Sequence, residues 1–341
     1  MKVMHLLQSS KFSGAENVVC QIISLFTDDK EVEMIYVCPD GPIRQELEKR
    51  KIKYVMLPTF SQKEINRAVK RIKPDFIHAH DFNASVRASM IRGVKVISHL
   101  HSNPSWLQKV CPQSIIYALR AYRFIKIIGV SSIIREEYIF HKAVDKKFQV
   151  ISNVVDTNRV AALSQANSID SFDLLYVGRL SEAKNPIAFL TIIKKLCDKG
   201  IGVTAKMIGV GPLENLCKSY IINNGLSDCV QMLGFQSNPY QYMLAAKIIV
   251  ITSTYEGFGL VAVEAMSLNK LVIASRVGAL IDILSGNCGI TCTSIEDYCK
   301  AISFYLADEE KRTAIGRLAG KKSLKYANIN EFQKQIKQVY L

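Results

Sequence analysis

The sequence contains no long apolar run and no cysteine pattern. Within its 341 residues, no stretch approaches the roughly 18 uninterrupted apolar residues of a membrane-spanning helix. The nine cysteines include no CxxC pair, and Cys288 and Cys292 are the nearest two. This spacing excludes a disulfide framework and a zinc-finger pattern, and it is typical of reduced thiols.

The opening residues also lack the features of a secretory leader. The segment MKVMHLLQSSKF turns polar too soon for a signal peptide. With no span and no leader, the sequence predicts a cytoplasmic protein. Two locations stay open within that prediction: free in the cytoplasm, or peripheral at the inner face of the cell membrane.

Low-complexity tracts and fixed-period repeats are missing too, which excludes disordered and solenoid classes. With 49% hydrophobic and 22% charged residues, the composition is that of a globular protein. The length exceeds what one ordinary core accommodates and fits two domains of typical size.

Acidic residues are scarce in one region of the chain. Residues 51–135 contain 15 Lys and Arg but only three acids, Glu64, Asp75 and Asp81. The formal net charge is +14, and residues 1–155 carry 24 basic and 14 acidic residues, a surplus of +10. A basic first half indicates an anionic partner, such as a nucleotide ligand, an acidic membrane surface or nucleic acid.

Short apolar, β-branched runs alternate along the chain with segments of helical periodicity. This alternation indicates parallel βαβ units whose sheets are covered on both faces. A polar stretch at 161–172 separates two such series, so we predict an α/β protein with two Rossmann-like doubly wound domains that face each other across a cleft. The predicted strands are 2–8, 33–38, 53–57, 75–79, 94–99, 125–131, 147–152, 173–178, 203–208, 229–233, 247–252 and 270–275.

The predicted domains are residues 1–158 on the acceptor side and 159–325 on the donor side. Residues 326–341 form a closing helix, which could cross back to the first domain. Its apolar residues Phe332, Ile336, Val339 and Tyr340 share one helical face.

The segment KIIVITSTYEGFGLVAVEAMSLNK (247–270) predicts a strand, a loop and a helix. Gly257 and Gly259 allow a ligand to approach the backbone, and the free N–H groups of a helix start favour an anion. Glu256 in the loop and Glu264 in the first helical turns would flank that anion. Acids near a helix N-terminus also stabilise the helix without any ligand, so this segment alone leaves both interpretations open.

Two strand ends earlier in the chain also favour a bound anion. In LLYVGRLSEAKNP (174–186), Arg179 and Lys184 follow a strand, where a pyrophosphate would need cations. A solvated basic loop is nevertheless the commoner fate of such residues. In MIGVGPLENL (207–216), Gly209 and Gly211 lead from a strand into a helix, which is weak support for a nucleotide when taken alone.

These motifs, in this order and spacing, resemble a family-four retaining glycosyltransferase of the GT-B fold, of the kind found in bacterial capsule, exopolysaccharide or lipopolysaccharide biosynthesis. The resemblance covers essentially the whole chain and is most specific over residues 173–280. There it rests on 178-GR-179, Lys184, IGVGPLE (208–214), LGF (233–235) and Glu256-x7-Glu264. In the first half it rests on SGAEN (13–17), DFIHAHD (75–81), ISHLHSN (97–103) and ISNVVD (151–156).

The resemblance implies a role for each matching residue. Arg179 and Lys184 would neutralise the donor diphosphate, and Glu264 would bind the ribose hydroxyls. Glu256, with His101, would act at the transferred sugar as the catalytic pair. The further donor-binding positions are Gly14 in the first-domain loop, Gly209 and Gly211, and the backbone amides of Phe258, Gly259 and Leu260.

Two positions depart from the family pattern. The first-domain loop of such families often has paired glycines, whereas here Ser13 precedes a single Gly14. The usual Asn-Gly at the domain junction is Asn153-Val154.

The sequence also contains a group of possible metal ligands, because HxH on a strand places both rings on one face. The group consists of four histidines and one aspartate: His78, His80, Asp81, His99 and His101. Each histidine ends a buried strand, where structural or substrate contacts are equally natural. The sequence has no DxD motif for a nucleotide-bound divalent ion. We therefore expect no metal and no cofactor, with the nucleotide sugar as a substrate.

The segment KVCPQSIIYALRAYRFIKII (109–128) is basic and amphipathic. We expect a helix with Arg120, Arg123 and Lys126 along one side and Ile115, Leu119, Tyr122 and Ile125 on another. Such a helix can lie on anionic lipid. The alternative is an ordinary domain helix with a solvated basic edge.

The sequence thus predicts a retaining, metal-independent glycosyltransferase. It would move a hexose or N-acetylhexosamine from a nucleotide-diphosphate sugar, UDP favoured over GDP, to a hydroxyl of a saccharide or lipid-linked saccharide in surface polysaccharide synthesis. We expect no nucleic-acid partner. Two alternatives remain: a nucleotide-sugar 2-epimerase of the same architecture, and, less favoured, a non-catalytic nucleic-acid-binding protein.

Overall fold

The computed structural model describes all 341 residues and divides them into two compact units. The first unit comprises Met1–Asn153 and Asn330–Leu341, and the second comprises Val154–Ile329. Each is built around one parallel sheet. None of the helices combines the length and apolar character that crossing a bilayer would require.

The first unit has a seven-stranded sheet in the order β3-β2-β1-β4-β5-β6-β7, with every pairing parallel. Its strands are β1 (Lys2–Leu6), β2 (Glu33–Pro39), β3 (Tyr54–Leu57), β4 (Phe76–His80), β5 (Lys95–Leu100), β6 (Phe124–Gly129) and β7 (Phe148–Val150). Its helices are α1 (Gly14–Leu25), α2 (Ile43–Lys49), α3 (Gln62–Ile72), α4 (Asp81–Ser89), α5 (Pro112–Arg120) and α6 (Ile133–Glu136).

The second unit repeats this winding with six parallel strands in the order β10-β9-β8-β11-β12-β13. The strands are β8 (Phe172–Val177), β9 (Ala205–Ile208), β10 (Val230–Met232), β11 (Ala246–Ile251), β12 (Leu271–Ser275) and β13 (Ile290–Cys292). The helices are α7 (Thr157–Ser164), α8 (Pro186–Asp198), α9 (Glu214–Asn223), α10 (Tyr240–Ala245), α11 (Leu260–Ser267), α12 (Leu280–Ile283), α13 (Ile295–Ala307) and α14 (Glu309–Ser323).

Apolar burial on both sheet faces explains why these segments become central strands. In the second unit, Leu174 and Ile248 on neighbouring strands pack with Phe189 and Ile193 of α8, and all four are fully buried. Burying one such side chain contributes roughly 1.5–3 kcal/mol. In both sheets the strand order reverses beside the first strand, which places the ligand crevice beyond the carboxyl ends of β1 and β4, and of β8 and β11.

All twelve predicted strands are present, with end points that differ by at most two residues. A thirteenth strand, β13, was missed. It has only three residues, Ile290–Cys292, and forms because it pairs with β12 at the sheet edge. Unlike the equally short β7 and β10, it lies in a stretch of mostly small and polar residues, GNCGITCTS (286–294), which contains no apolar run.

The single basic helix expected over 109–128 is wrong. Helix α5 ends at Arg120, a 3-10 turn follows at Ala121–Arg123, and Lys126 lies on strand β6. The strand forms because β6 pairs with β5 and with β7. Arg120, Arg123 and Lys126 therefore do not form one side of a helix.

The C-terminal helix α15 (Ile329–Gln338) packs within the first unit. Phe332 and Ile336 of the predicted apolar face are buried on this helix, and Val339 and Tyr340, which follow its end, are buried as well. Lys337 forms an ion pair with Asp29 at 2.8 Å. The Tyr340 hydroxyl lies 2.6 Å from Nδ1 of His78 on β4.

Candidate functional site

Two loops meet at the carboxyl edge of the second sheet. The loop after β8 (178–185) and the loop after β11 (252–259) are joined by backbone and side-chain hydrogen bonds. The Thr252 hydroxyl lies 2.9 Å from the carbonyl of Asn185, and the Thr254 amide donates to the carbonyl of Ala183 at 2.9 Å. Tyr176 on β8 holds the loop 178–185 in place, because its hydroxyl donates to the carbonyl of Arg179 at 3.1 Å.

These contacts bring Lys184 and Glu256 together although they are far apart in sequence. The Lys184 ammonium group forms an ion pair with the Glu256 carboxylate. The Ser253 hydroxyl donates a second hydrogen bond to Glu256 at 3.1 Å. The Glu256 side chain is only 14% exposed, so its charge lies in a partly desolvated setting where a cation counts for more than on an open surface.

Arg179, the second predicted phosphate ligand, lies on the same loop as Lys184. Arg179 is exposed, and no acidic residue of the protein forms an ion pair with it. A guanidinium group is suited to bidentate contact with phosphate oxygens. The loop therefore offers one exposed cation and one cation shared with a carboxylate.

Helix α11 begins at Leu260, four residues after Glu256, and supplies backbone N–H groups. Gly259 is its N-cap residue with φ of 95°, a conformation that favours glycine, and a Cβ there would lie 2.8 Å from Leu280. Phe258 is buried and packs edge-on against Tyr326, so it can offer a ligand only its backbone. Leu260 is the first helical residue, and the N–H groups of Gly259, Leu260 and Val261 have no acceptor within the helix, whereas the Ala262 amide already donates to the carbonyl of Gly259 at 3.0 Å.

Glu264 lies on α11 beside α10. The Tyr240 hydroxyl donates to its Oε1 atom at 3.1 Å. Burial raises the pKa of Glu264 to about 7, although the Tyr240 hydrogen bond and the nearby charge of Arg159 oppose that rise. A carboxyl group poised near neutrality can accept hydrogen bonds from hydroxyl donors once it ionises.

Gly209 and Gly211 have a structural role in the second unit. A Cβ at Gly209, whose φ is 138°, would lie 1.9 Å from the carbonyl oxygen of Gly178. A Cβ at Gly211 would lie 2.3 Å from the carbonyl oxygen of Leu180. Both glycines therefore allow the loop after β9 to pack against the loop that carries Arg179. Direct ligand contact stays a prediction for these two residues.

In the first unit, Gly14 is exposed and begins α1 directly after the β1 loop. Its neighbour Ser13 is the N-cap residue, and the Ser13 hydroxyl bonds to the carboxyl group of Glu16. Glu16 is buried, and burial raises its pKa. The single-glycine loop is thus held by a side-chain contact at the helix start.

His101 follows β5 at the carboxyl edge of the first sheet. Its backbone amide donates to Oδ1 of Asp81 at 2.9 Å, and its ring lies 2.9 Å from the ring of His80. Asp81 has φ of 65° and a buried carboxyl group, and burial raises its pKa to about 6. Burial lowers the pKa of His101 to about 3, so the ring is neutral at physiological pH.

The structure thus brings together two sets of predicted residues, each within its own unit. The second unit gathers Arg179, Lys184, Glu256 and Glu264 with the α11 start, and the first unit contains Gly14 and His101. Sequence reasoning missed Tyr240, Ser253 and Tyr176. Ser253 lies three residues before Glu256 and could have been found from that spacing, whereas nothing in the sequence links Tyr240 to Glu264.

Two family models match the chain in tandem. Residues 12–159 match "Glycosyltransferase Family 4", and residues 162–322 match "Glycosyl transferases group 1". The two matches meet at residues 159–162, within α7 and a few residues after the boundary between the units at Asn153 and Val154. The chain is a family-four glycosyltransferase of the GT-B fold.

Relatives of this glycosyltransferase include CapH of Staphylococcus aureus, a capsular polysaccharide biosynthesis glycosyltransferase. The two are 23% identical over 299 residues, which cover 81% of this chain and 82% of CapH. The N-acetylgalactosamine-N,N'-diacetylbacillosaminyl-diphospho-undecaprenol 4-alpha-N-acetylgalactosaminyltransferase of Campylobacter jejuni is 28% identical over 132 residues, which cover 38% of this chain and 35% of that enzyme. Across three curated relatives, the matched part spans only 35–58% of their length.

Solved structures share the fold of this glycosyltransferase. The Anabaena protein Alr3699/HepE in complex with UDP-glucose aligns with a TM-score of 0.86 at 23% identity, covering 99% of this chain and 98% of that chain. At this level of identity the likeness concerns the fold. Two Rossmann-like parallel-sheet domains are the GT-B architecture that the sequence predicted.

Proposed function

We propose that this chain is a retaining glycosyltransferase. It transfers a hexose or N-acetylhexosamine from a nucleotide-diphosphate sugar, with UDP favoured over GDP, to a hydroxyl of a lipid-linked saccharide in surface polysaccharide synthesis. The observation that carries the proposal is the Lys184–Glu256 ion pair at the start of α11, beside the Glu264–Tyr240 pair. A cation, a helix start and two carboxyl groups at one sheet edge match the parts of a nucleotide sugar.

Each part of the donor has a partner among these residues. Arg179, Lys184 and the backbone amides of Phe258, Gly259 and Leu260 bind the diphosphate, because cations and helix starts both stabilise phosphate oxygens. Glu264 accepts hydrogen bonds from the ribose hydroxyls. Glu256 orients the transferred sugar and stabilises the positive charge that develops on it. Gly14 and His101 of the first unit complete the contacts, His101 at the sugar.

The chemistry follows from positioning and electrostatics. As the sugar–phosphate bond breaks, negative charge grows on the leaving diphosphate, and Lys184 and Arg179 stabilise it. Lys184 exchanges its Glu256 partner for a phosphate oxygen, which leaves the Glu256 carboxylate for the sugar. We assign no covalent nucleophile, and we propose that cations and helix dipoles do the work that a metal ion does elsewhere.

Relatives support the finer parts of the proposal. The UDP preference follows the UDP-glucose complex of the Anabaena protein, and the lipid-linked acceptor follows the undecaprenol-linked substrate in the name of the Campylobacter enzyme. The capsular pathway of CapH suggests surface polysaccharide as the product.

We further propose that the first unit contacts an anionic membrane. Because 109–128 is not one helix, the surface that we propose for this contact is the end of α5 and the turn after it. Leu119 is 68% exposed there and Tyr122 is 71% exposed. Exposed apolar side chains of this size on a basic unit are typical of membrane contact. Arg120 and Lys126 remain available for lipid phosphates, whereas the Arg123 guanidinium group donates to the carbonyls of Ser89 and Ile91 at 3.3 and 2.8 Å.

The test is a transfer assay with UDP- and GDP-sugars and lipid-linked acceptors, with and without EDTA. We expect an α-linked product from an α-linked donor, undiminished by EDTA, and no product from Glu256→Ala protein that retains its melting temperature. Turnover by Glu256→Ala would overturn the catalytic assignment. Isomerised nucleotide sugar in the absence of acceptor would instead indicate an epimerase.

A further inference from the structure

The chain passes between its two units at two points. It leaves the first unit after Asn153 and returns to it after Ile329. Helix α7 begins shortly after the first crossing, and the 3-10 turn Leu324–Tyr326 ends shortly before the second. Within the second unit the two crossing segments are joined, because the Val155 amide donates to the carbonyl of Tyr326 at 2.8 Å.

Tyr326 also contacts the donor loop, residues 256–259, which leads into α11. Its ring packs edge-on against the ring of Phe258, with centroids 5.5 Å apart and planes inclined by 83°. Phe258 is only 4% exposed, and it is the one large side chain between two glycines, Gly257 and Gly259. Because edge-on aromatic pairs are directional, this contact fixes the position of the donor loop.

The donor loop has a second attachment, through α12. The carbonyl of Glu256 accepts from the amide of Ala279, the N-cap residue of α12, at 3.2 Å. Helix α12 is tied in turn to the end of α14, since the Lys322 ammonium group donates to the carbonyls of Asp282 and Ser285 at 2.6 and 2.8 Å. Both attachments therefore lead to the end of α14 and the turn that follows it.

The segment after the first crossing also reaches the other end of the donor site. Helix α7 packs against α10 and α11. The Asp156 carboxylate accepts from the Arg159 amide at 2.9 Å at the start of α7. The charge of Arg159 lies near Glu264, where it opposes the rise in the pKa of that carboxyl group. Both halves of the donor site are thus in contact with segments that adjoin the crossings.

We propose that Tyr326 is a positioning residue that fixes the donor loop for the diphosphate and links diphosphate binding to the Val155 segment at the first crossing. This inference rests on the proposed function, because it requires the backbone amides at the start of α11 to bind the diphosphate. A diphosphate on those amides holds the donor loop, and the Phe258 ring then restrains Tyr326. The Tyr326 carbonyl consequently keeps its hydrogen bond with the Val155 amide for a larger fraction of the time.

Three substitutions separate this role from simple packing. Tyr326→Leu removes the edge-on contact but keeps the backbone carbonyl that accepts from Val155. Tyr326→Phe keeps the ring and loses only the hydroxyl, which takes no part in these contacts. Tyr305→Leu is the matched control, because Tyr305 forms an edge-on pair with Phe304 on α13, with centroids 5.0 Å apart and planes inclined by 88°. If Tyr326 only filled space, the two leucine variants would behave alike.

The first measurement is hydrogen exchange of the Val155 amide, followed by NMR in the full-length protein with and without saturating UDP. The Ala205 amide, which donates to the carbonyl of Cys229 at the start of β9, reports the general stabilisation that any bound ligand gives. In the wild type and Tyr326→Phe we expect UDP to slow Val155 about fivefold more than Ala205. In Tyr326→Leu the two amides should slow equally. Equal slowing in the wild type, or an unchanged difference in Tyr326→Leu, would overturn the inference.

The second measurement is calorimetric binding of UDP and of uridine, which lacks phosphate. We expect Tyr326→Leu to raise the dissociation constant of UDP about three- to tenfold and to leave that of uridine unchanged, whereas Tyr326→Phe and Tyr305→Leu bind both as the wild type does. Equal weakening of UDP and uridine would indicate general structural damage and overturn the inference. Should Tyr326→Leu fail to fold, Phe258→Leu removes the same contact from the other side and is expected to give both results. Failure of UDP and GDP to bind the wild type would instead overturn the proposed function.

Discussion

Lys184 and Glu256 form an ion pair across two loops that are 72 positions apart in the chain. In the proposed mechanism, Lys184 binds the donor phosphates and Glu256 acts at the transferred sugar. A carboxylate that holds the lysine competes with phosphate for the same ammonium group. The pair therefore links donor binding to the release of Glu256 toward the sugar.

Glu256→Gln is expected to separate binding from catalysis. The amide removes the negative competitor for Lys184, so a nucleotide diphosphate should bind several-fold more tightly while transfer is lost. Calorimetry with UDP and the transfer assay measure the two effects. Glu296→Gln is the matched control, because Glu296 pairs with Lys199 on the exposed surface at 2.7 Å. Weaker UDP binding by Glu256→Gln would contradict the competition.

Arg179→Ala combined with Lys184→Ala is expected to raise the dissociation constant of UDP about 100-fold. Two charge-assisted hydrogen bonds at about 1.5 kcal/mol each give that factor. Binding of uridine, which lacks phosphate, should change little. Lys199→Ala serves as the control for a lost surface lysine. An unaltered UDP dissociation constant would rule out the phosphate role of these two residues.

Nucleotide affinity is expected to depend on pH through Glu264. Burial raises the pKa of this carboxyl group to about 7, and the ribose hydroxyls prefer its ionised form. Affinity should therefore rise with pH, by up to tenfold per pH unit below 7, and level off above it. Calorimetry with UDP between pH 5.5 and 8.5 would check this, and a flat profile would remove Glu264 from the ribose site.

Tyr240→Phe extends that measurement. The Tyr240 hydrogen bond lowers the pKa of Glu264, so its loss should move the rise in affinity to higher pH. Tyr242→Phe, on the same helix, is the control because the Tyr242 ring contacts Lys206. Identical profiles for Tyr240→Phe and the wild type would mean that the hydrogen bond does not tune the carboxyl group.

The pattern of the sequence predicted the two sheets because their strands are apolar runs with local signals. It also predicted Glu256, Glu264, Arg179 and Lys184 as neighbours, since the carboxyl ends of parallel strands lie on one edge. Contacts between residues that are far apart in sequence left no local pattern from which they could be predicted. Tyr340 reaches His78 across 262 positions, and β6 forms where helical periodicity also fitted, because pairing with β5 and β7 decides its conformation.

Gly209→Ala is expected to destabilise the second unit by about 2–5 kcal/mol. The Cβ would lie 1.9 Å from the Gly178 carbonyl oxygen, and the φ of 138° is itself unfavourable for alanine. Gly200→Ala is the matched control, with φ of 74° and no atom within 4 Å of the Cβ, and should cost about 1–2 kcal/mol. Thermal unfolding compares the two. Equal losses of stability in the two variants would show that the loop around Gly178 shifts to accommodate the added Cβ.

Leu119→Glu combined with Tyr122→Glu is expected to release the protein from anionic vesicles. Both side chains are exposed at the end of α5, and acids there would be repelled by lipid phosphates and would remove apolar area. Charge reversal at Arg123 is a poor test, because its guanidinium group holds two backbone carbonyls. Leu216→Glu, an exposed leucine of the second unit, is the control. Flotation with phosphatidylglycerol vesicles measures binding, and equal flotation of variant and wild type would leave α5 as an ordinary solvated helix.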